Sequence, residues 1–301
     1  MTSPAPVAYP LGPPTYSGNS LTVDTALQQP TRVTRRIADI TLQNFIVSDI
    51  FASGSGVTGG AVVYDQALLN ELYLERDVER VGPGDEFPVV TSVRTAPQVA
   101  PVEKWGGKFF VTDEARARND IISFNNQVTQ LANTITRKVN QRAITTLDAA
   151  IAALGGAGTF VGQNWSTVVT GGSSQSNNSA WPAADFAKAQ MLADVDELGV
   201  MYDLWILNPA QAAQLALVYG PALAQVLQSF GVRIKSSNRV AAGTAYVVAS
   251  GQVGSIDVEK PLTTETWREE KTQRTWVQAD VRPVLYVTNP YSVRKVTGLA
   301  G

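Results

Sequence analysis

The sequence predicts an α+β protein organised around one very long helix. Three stretches carry that expectation. From Asp113 to Leu154 there is no Gly and no Pro, and apolar side chains recur in helical steps: Ile121, Phe124, Val128, Leu131, Ile135, Val139, Leu147, Ile151 and Leu154. From Trp181 to Ala249 helical and strand patterns alternate over a short distance, which predicts a compact α/β region. From Trp267 onward the pattern turns β-rich.

The long helix has recognisable ends. Thr112 and Asp113 are N-cap residues by type, and Gly155–Gly156 stops the helix. At 1.5 Å per residue it would be about 60 Å long, several times the mean globular helix of ~11–12 residues. Its face opposite the apolar stripe carries Asn126, Gln130, Asn133 and Arg137, more amides than charges. A solvated helix usually shows Glu–Lys pairs instead. The expectation is a spine across which other segments or subunits lie; the simpler alternative is an ordinary long core helix.

Composition narrows the chemistry. The chain has 301 residues, room for two domains, and 44% hydrophobic residues, enough for a sizeable core. It has no Cys, hence no disulfide, thiolate metal site or cysteine nucleophile. It also has no His, the commonest general base and metal ligand. No enzyme, metal or cofactor is expected. With 24 basic and 26 acidic residues the net charge is −2, unlike a dedicated nucleic-acid binder. No apolar run has the length of a transmembrane helix and no signal-peptide core opens the chain, so a soluble protein made in a cytoplasm is expected.

In chain order, residues 1–31 hold Pro4, Pro6, Pro10, Pro13, Pro14 and Pro30, a composition that favours an extended arm. It either stays a disordered tail or orders along a neighbour. Arg32, Arg35 and Arg36 follow and read as interface or surface ion pairs. Gly54-Ser55-Gly56-Val57-Thr58-Gly59 spells GxGxxG, but the βαβ pattern of a dinucleotide site does not follow, so a flexible loop is expected. Tyr64 to Leu74 reads as a short helix. Val81-Gly82-Pro83-Gly84-Asp85 is a turn cluster. Phe87 to Val93 and Lys104 to Val111 read as two strands of a long β-hairpin with too little apolar content to stand alone. Lys104, Trp105 and Lys108 are its candidate contact residues.

After the helix, Gly171 to Ser179 is a loop by composition. Pro182 opens a helix with Phe186, Met191, Leu192 and Val195. Asp203 to Leu207 is a buried strand, and Asn208 caps the helix that begins at Pro209. Tyr219-Gly220-Pro221 breaks that helix, and Ala222 to Phe230 resumes it. Val232 to Ile234 and Ala245 to Ala249 are strands. Asp194, Asp196 and Glu197 cluster, but on one helical turn they need not converge on a metal, so a solvated face is expected. Trp267 to Trp276 predicts a hairpin about Lys271-Thr272 that faces Trp267 with Trp276 and Glu269 with Arg274. Val281 to Val287 and Val293 to Val296 are further strands.

This order of parts resembles the major capsid proteins of tailed bacteriophages, the Hong Kong 97-type fold, and in particular those of actinobacteriophages. Three local stretches carry the resemblance: Gly60-Ala61-Val62-Val63-Tyr64 with Leu72-Tyr73 and Val81-Gly82-Pro83-Gly84; Phe110-Val111-Thr112-Asp113-Glu114; and Trp205-Ile206-Leu207-Asn208-Pro209. The resemblance spans about residues 32–298. It implies an N-terminal arm and glycine loop over 1–60, an extended β-hairpin loop with its lead-in over 61–111, and the spine helix of a peripheral domain over 112–160. An axial domain over 161–260 and closing strands of the peripheral domain over 261–301 complete it.

The family's role has no active site. Copies form hexamers and pentamers that tile an icosahedral shell around packaged double-stranded DNA. The resemblance therefore implies Arg32, Arg35, Arg36, Lys104, Trp105, Lys108, Gln130 and Arg137 as subunit-interface residues. It implies a virion protein assembled in the bacterial host cytoplasm. Its partners would be itself, a separate scaffolding protein, a portal protein, an optional decoration protein, and non-specific contact with the DNA, with no membrane. A separate scaffolding protein is expected because Gly54 is reached too soon for an N-terminal scaffolding domain. Near-neutral charge suits a wall that must not stick to the DNA it encloses. Competing readings are an encapsulin-type cellular shell, a nucleotide-binding enzyme using the Gly54–Gly60 loop, and a decoration or tail protein, against which the long helix argues.

Overall fold

The helical periodicity that begins at Asp113 produces two helices, Asp113–Ala117 and Ile121–Ala153, where one was expected. The structure, a computed structural model, describes residues 22–43, 45–67, 78–90 and 96–300. The break lies at Arg118-Asn119-Asp120. Asn119 adopts a left-handed φ of 52°, which Asn tolerates better than most residues. The Asp120 carboxylate then accepts the Ser123 N–H at 3.1 Å, a fresh N-cap for the long helix. Thr112 caps the first helix as expected, its hydroxyl accepting the Ala115 N–H at 3.2 Å. Gly155, with φ 60°, ends the second.

The long helix buries Phe124, Val128, Ile135, Val139, Leu147 and Ile151, most of the expected stripe. Ile121, Leu131 and Leu154 are half-buried, while Asn126, Gln130, Asn133 and Arg137 are exposed.

Strands form three sheets. One has the order β1 (Ala52–Gly56), β9 (Gly254–Glu269), β10 (Arg274–Val287) and β4 (Trp105–Thr112). The second has the order β5 (Thr159–Val161), β11 (Val293–Thr297), β8 (Ala245–Val248), β6 (Leu204–Leu207) and β7 (Arg233–Ser236). The third pairs β2 (Ala61–Tyr64) with β3 (Gln98–Pro101), antiparallel, Ala61 opposite Pro101. The chain divides into two compact units, to both of which the long helix, β9 and β10 contribute residues.

The first unit comprises residues 1–43, 106–134 and 262–280. Within it, residues 22–31, expected in an extended arm, form helix Val23–Gln28 and the start of helix Pro30–Gln43; residues 1–21 lie outside the described part. Proline at the first position of the second helix removes only an N–H that would be unpaired anyway. Val23, Ala26, Leu27, Val33 and Ile37 are buried, so an apolar stripe outweighs the local proline signal. The entry is tied down by polar contacts: the Val23 N–H donates to Asn119 Oδ1 at 2.9 Å, and the Arg116 guanidinium pairs with Asp24.

The second unit comprises residues 44–105, 135–261 and 281–301. Its five-stranded sheet places β6, with all four residues buried, between parallel β7 and antiparallel β8. The unbroken Leu-Trp-Ile-Leu run is what a strand covered on both faces requires. Helices Pro182–Val195 and Pro209–Tyr219 pack with it around Trp165, Phe186, Trp205, Leu215 and Val247. Asn208 caps the second of these, Oδ1 accepting the Ala210 N–H at 3.0 Å, and its amide also donates to the Val240 carbonyl at 2.8 Å. Met191 and Val195 of the first helix are exposed.

Several strand expectations are corrected. The hairpin expected between 87–93 and 104–111 does not form among the described residues: 85–90 lack regular structure, and β4 joins the four-stranded sheet. The ribbon is made by β2 and β3 instead. Of the helix expected over Tyr64 to Leu74, Tyr64 is the last residue of β2 and 65–67 have no regular structure, while 68–77 lie outside the described part, as do 91–95. The glycine stretch is half strand: β1 runs parallel to β9, Ala52 opposite Ser255. A side chain at Gly54 would place its Cβ 1.6 Å from Asp257 Oδ1, so glycine is what lets the two strands meet there. The last strand, β11, lies in the five-stranded sheet, parallel to β5 and antiparallel to β8.

Candidate interaction surfaces

At the far end of β9 and β10 the chain turns through Glu270–Thr272, with Gln273 left-handed at φ 48°. This register stacks Trp267 on Trp276, centroids 6.4 Å apart and planes 20° from parallel, as the sequence predicts. Lys108, on β4, sets its ammonium 4.4 Å from the Trp276 ring centre and 5.9 Å from that of Trp267. The Arg274 guanidinium lies 4.6 Å over Phe110, which meets Trp276 edge-on at 5.3 Å. Glu269 is engaged otherwise than expected. It accepts from Trp276 Nε1 at 2.9 Å and Thr272 Oγ1 at 2.7 Å, and these bonds hold its carboxyl below the usual range. Trp267 and Phe110 remain 40% and 41% exposed. Cations above aromatic faces with open ring edges suit contact with another protein surface.

The expected interface residues do not converge on one site. Arg32 is half-buried and Arg35 exposed on helix Pro30–Gln43. Arg36, also exposed, donates through Nη1 to Asn125 Oδ1 at 2.6 Å. Lys108 joins the aromatic cluster. Gln130 and Arg137 stand exposed on the amide-rich face of the long helix, Lys104 is exposed and Trp105 half-buried. Val78 was not singled out from sequence, and Phe87 and Val89 were read only as part of a strand, yet they are 74%, 77% and 78% exposed. Their signal was available: apolar residues around a Gly-Pro-Gly turn with no amphipathic partner pattern.

Among the described residues no group of three or more acidic side chains could hold a metal. Asp196 pairs with the buried Arg294 guanidinium, and Asp194 accepts from Gln190 at 2.8 Å, so these carboxylates are structural. After Gly59 comes strand β2, not the helix a dinucleotide fingerprint needs. One buried carboxylate does stand apart. Asp185 accepts from Trp165 Nε1 at 2.7 Å and from the Gln163 N–H at 3.0 Å, inside the core of the second unit. Burial is the larger influence and raises its pKa despite those bonds.

The family described as phage capsid protein matches residues 95–296. No curated protein sequence matches the chain. Among solved structures, the capsid of the cyanophage P-SCSP1u aligns with a TM-score of 0.58 and 14% identity over 85% of this chain and 89% of that one. The Mycobacterium phage Cain structure aligns with a TM-score of 0.56 and 18% identity over 85% and 90%. A virus-like particle from Pyrococcus furiosus aligns with a TM-score of 0.58 and 13% identity over 88% and 98%. At these identities the likeness is one of fold.

Proposed function

The chain belongs to the phage capsid protein family, and from that premise we propose how it builds its shell. It is a structural protein of the virion with a Hong Kong 97-type fold, and proteins of this kind assemble shells from copies of themselves. In our reading the copies form hexamers and pentamers of an icosahedral shell around packaged double-stranded DNA. The amide-rich face of the long helix and the aromatic–cationic end of β9 and β10 are contacts between copies. A scaffolding protein and a portal protein are its assembly partners in the host cytoplasm, and a decoration protein is an optional one.

The observation that carries the reading is the family match across the long helix and the five-stranded sheet. Exposed amides can exchange water for hydrogen bonds at a protein contact with less desolvation cost than charges. The expected result is closed shells containing double-stranded DNA when particles from infected cells are viewed by electron microscopy and their nucleic acid is extracted. Shells carrying a cargo enzyme and no DNA would instead make it a cellular compartment. Purified protein and particle fractions without any shells would refute both.

A further inference from the structure

In the second unit, strand β1 is held by very little. Of residues 52–60 only Ala52 and Val57 are even half-buried; the rest are exposed. The segment is anchored at both ends. Ile50 and Phe51 are buried before it, and after it the Gly60 carbonyl accepts the Val102 N–H at 2.9 Å. Between these anchors Gly59 takes a φ of 101° with open space around it. The pairing of β1 with β9 is also interrupted. Ser53 faces Ile256 and Gly56 faces Val258, so Gly54 and Ser55 together oppose Asp257, two residues against one. The Val57 N–H reaches the Val258 carbonyl only at 3.5 Å, a weak closing bond.

Asp257 lies beneath this bulge and is 4% exposed. Its Oδ2 accepts the Tyr286 hydroxyl at 2.9 Å. Its Oδ1 is sealed against Gly54 and has no hydrogen-bond partner among the described residues. A carboxylate oxygen buried in this way has given up water for nothing. We propose that residues 52–59 form a releasable strap, opened by local unfolding while the rest of the second unit stays folded, and that the half-satisfied Asp257 carboxylate lowers the cost of opening. Lifting the strap breaks almost no apolar contact and returns Oδ1 to water. It also bares the edge of β9 at residues 255–258, whose freed backbone groups can then pair with another strand.

Hydrogen exchange read by mass spectrometry on the full chain tests this. Amides of residues 53–57 should exchange at least about a hundredfold faster than those of β8, all of whose residues are buried. Asp257→Asn keeps the shape, removes the charge, and should slow exchange over 53–57 roughly tenfold while leaving β8 unchanged. Gly54→Ala drives a Cβ into the carboxylate and should speed exchange over the same residues. Gly54→Ala combined with Asp257→Ala should restore protection, which keeps the carboxylate's part testable should Asp257→Asn fail to fold. Protection of 53–57 equal to that of β8 would overturn the proposal. So would equal rates in the wild type and Asp257→Asn, or a Gly54→Ala rate that Asp257→Ala does not slow, since the strap would then be loose for reasons unconnected with the carboxylate.

Discussion

Asp185 shows how a single buried carboxylate ties pH to stability. Its pKa is raised, with burial as the larger cause, so the folded state holds a proton at pH values where the unfolded chain, near 3.9, has lost it. The stability contributed by the protonated form is complete below about pH 4 and is lost as pH rises through the raised folded value. Asp185→Asn removes this titration. Melting temperatures of the two proteins between pH 4 and 7 should show the wild type losing ground to the variant as pH rises; a constant difference would contradict the assignment. Beside it, Trp165, Phe186 and Trp205 form an aromatic cluster with centroids 4.7 Å apart between Phe186 and Trp205 and 6.3 Å in the other two pairs. Trp205 is 1% exposed. Trp205→Ala should therefore cost about 3–5 kcal/mol. Asn208→Ala, which loses both the cap and the bond to Val240, should cost about 1–2 kcal/mol. Denaturant midpoints measure both.

For the elements, the long helix separates two kinds of position. Val128 is fully buried, so Val128→Asp strands a carboxylate at a penalty of several kcal/mol against a total stability of ~5–15 kcal/mol, and should prevent folding by circular dichroism. Leu131 sits on the same expected stripe but is half-buried, reaching over Gly107, where a Cβ would come 2.8 Å from Leu131 Cδ1. Asp there should be milder than at Val128. The helix break has its own test. Asn119→Ala loses the acceptor for the Val23 N–H and places a β-carbon at positive φ, costing about 1–3 kcal/mol, read from the melting transition. Asn119→Gly, which keeps the φ but not the acceptor, should fall between.

At the scale of the assembled molecule, the proposal that copies meet on the amide-rich face of the long helix can be tested. Gln130→Glu with Arg137→Glu should leave the subunit folded, because exposed helix charges cost only a few tenths of a kcal/mol. Shell assembly should fail or slow, because the same charges would be desolvated at every repeated contact. Circular dichroism beside electron microscopy reads the two effects; normal shells from the double variant would mean that this face is merely solvated. Covalent joining is the second question at this scale. We expect no covalent link between copies through Lys108, whose ammonium lies over Trp276 and Trp267. A boiled denaturing gel of mature particles should show one band near 32.2 kDa; a ladder of multiples would refute this.

What the sequence determined by itself is whatever depends on neighbours within a turn or two. The stripe of the long helix, the caps at Thr112 and Asn208, the buried run at Leu204–Leu207 and the facing of Trp267 with Trp276 were legible, because side-chain period and capping chemistry are local. The candidate interface residues were legible only as types. The exposure of Arg35, Lys104, Gln130 and Arg137, the arginine–asparagine contact of Arg36, and the lysine of residue 108 over its two tryptophans appear only in the fold. Tertiary structure alone decided the rest. Asn119 breaks the helix where the docked residues at Val23 and Asp24 hold it, and local propensity is overridden by that contact. β2 pairs with β3, and β4 goes to another sheet, because a strand's partner is chosen by non-local burial and register that no window of sequence contains. Gly54 reads as loop until Asp257 arrives beside it from two hundred residues away, its carboxylate filling the space a side chain at 54 would need.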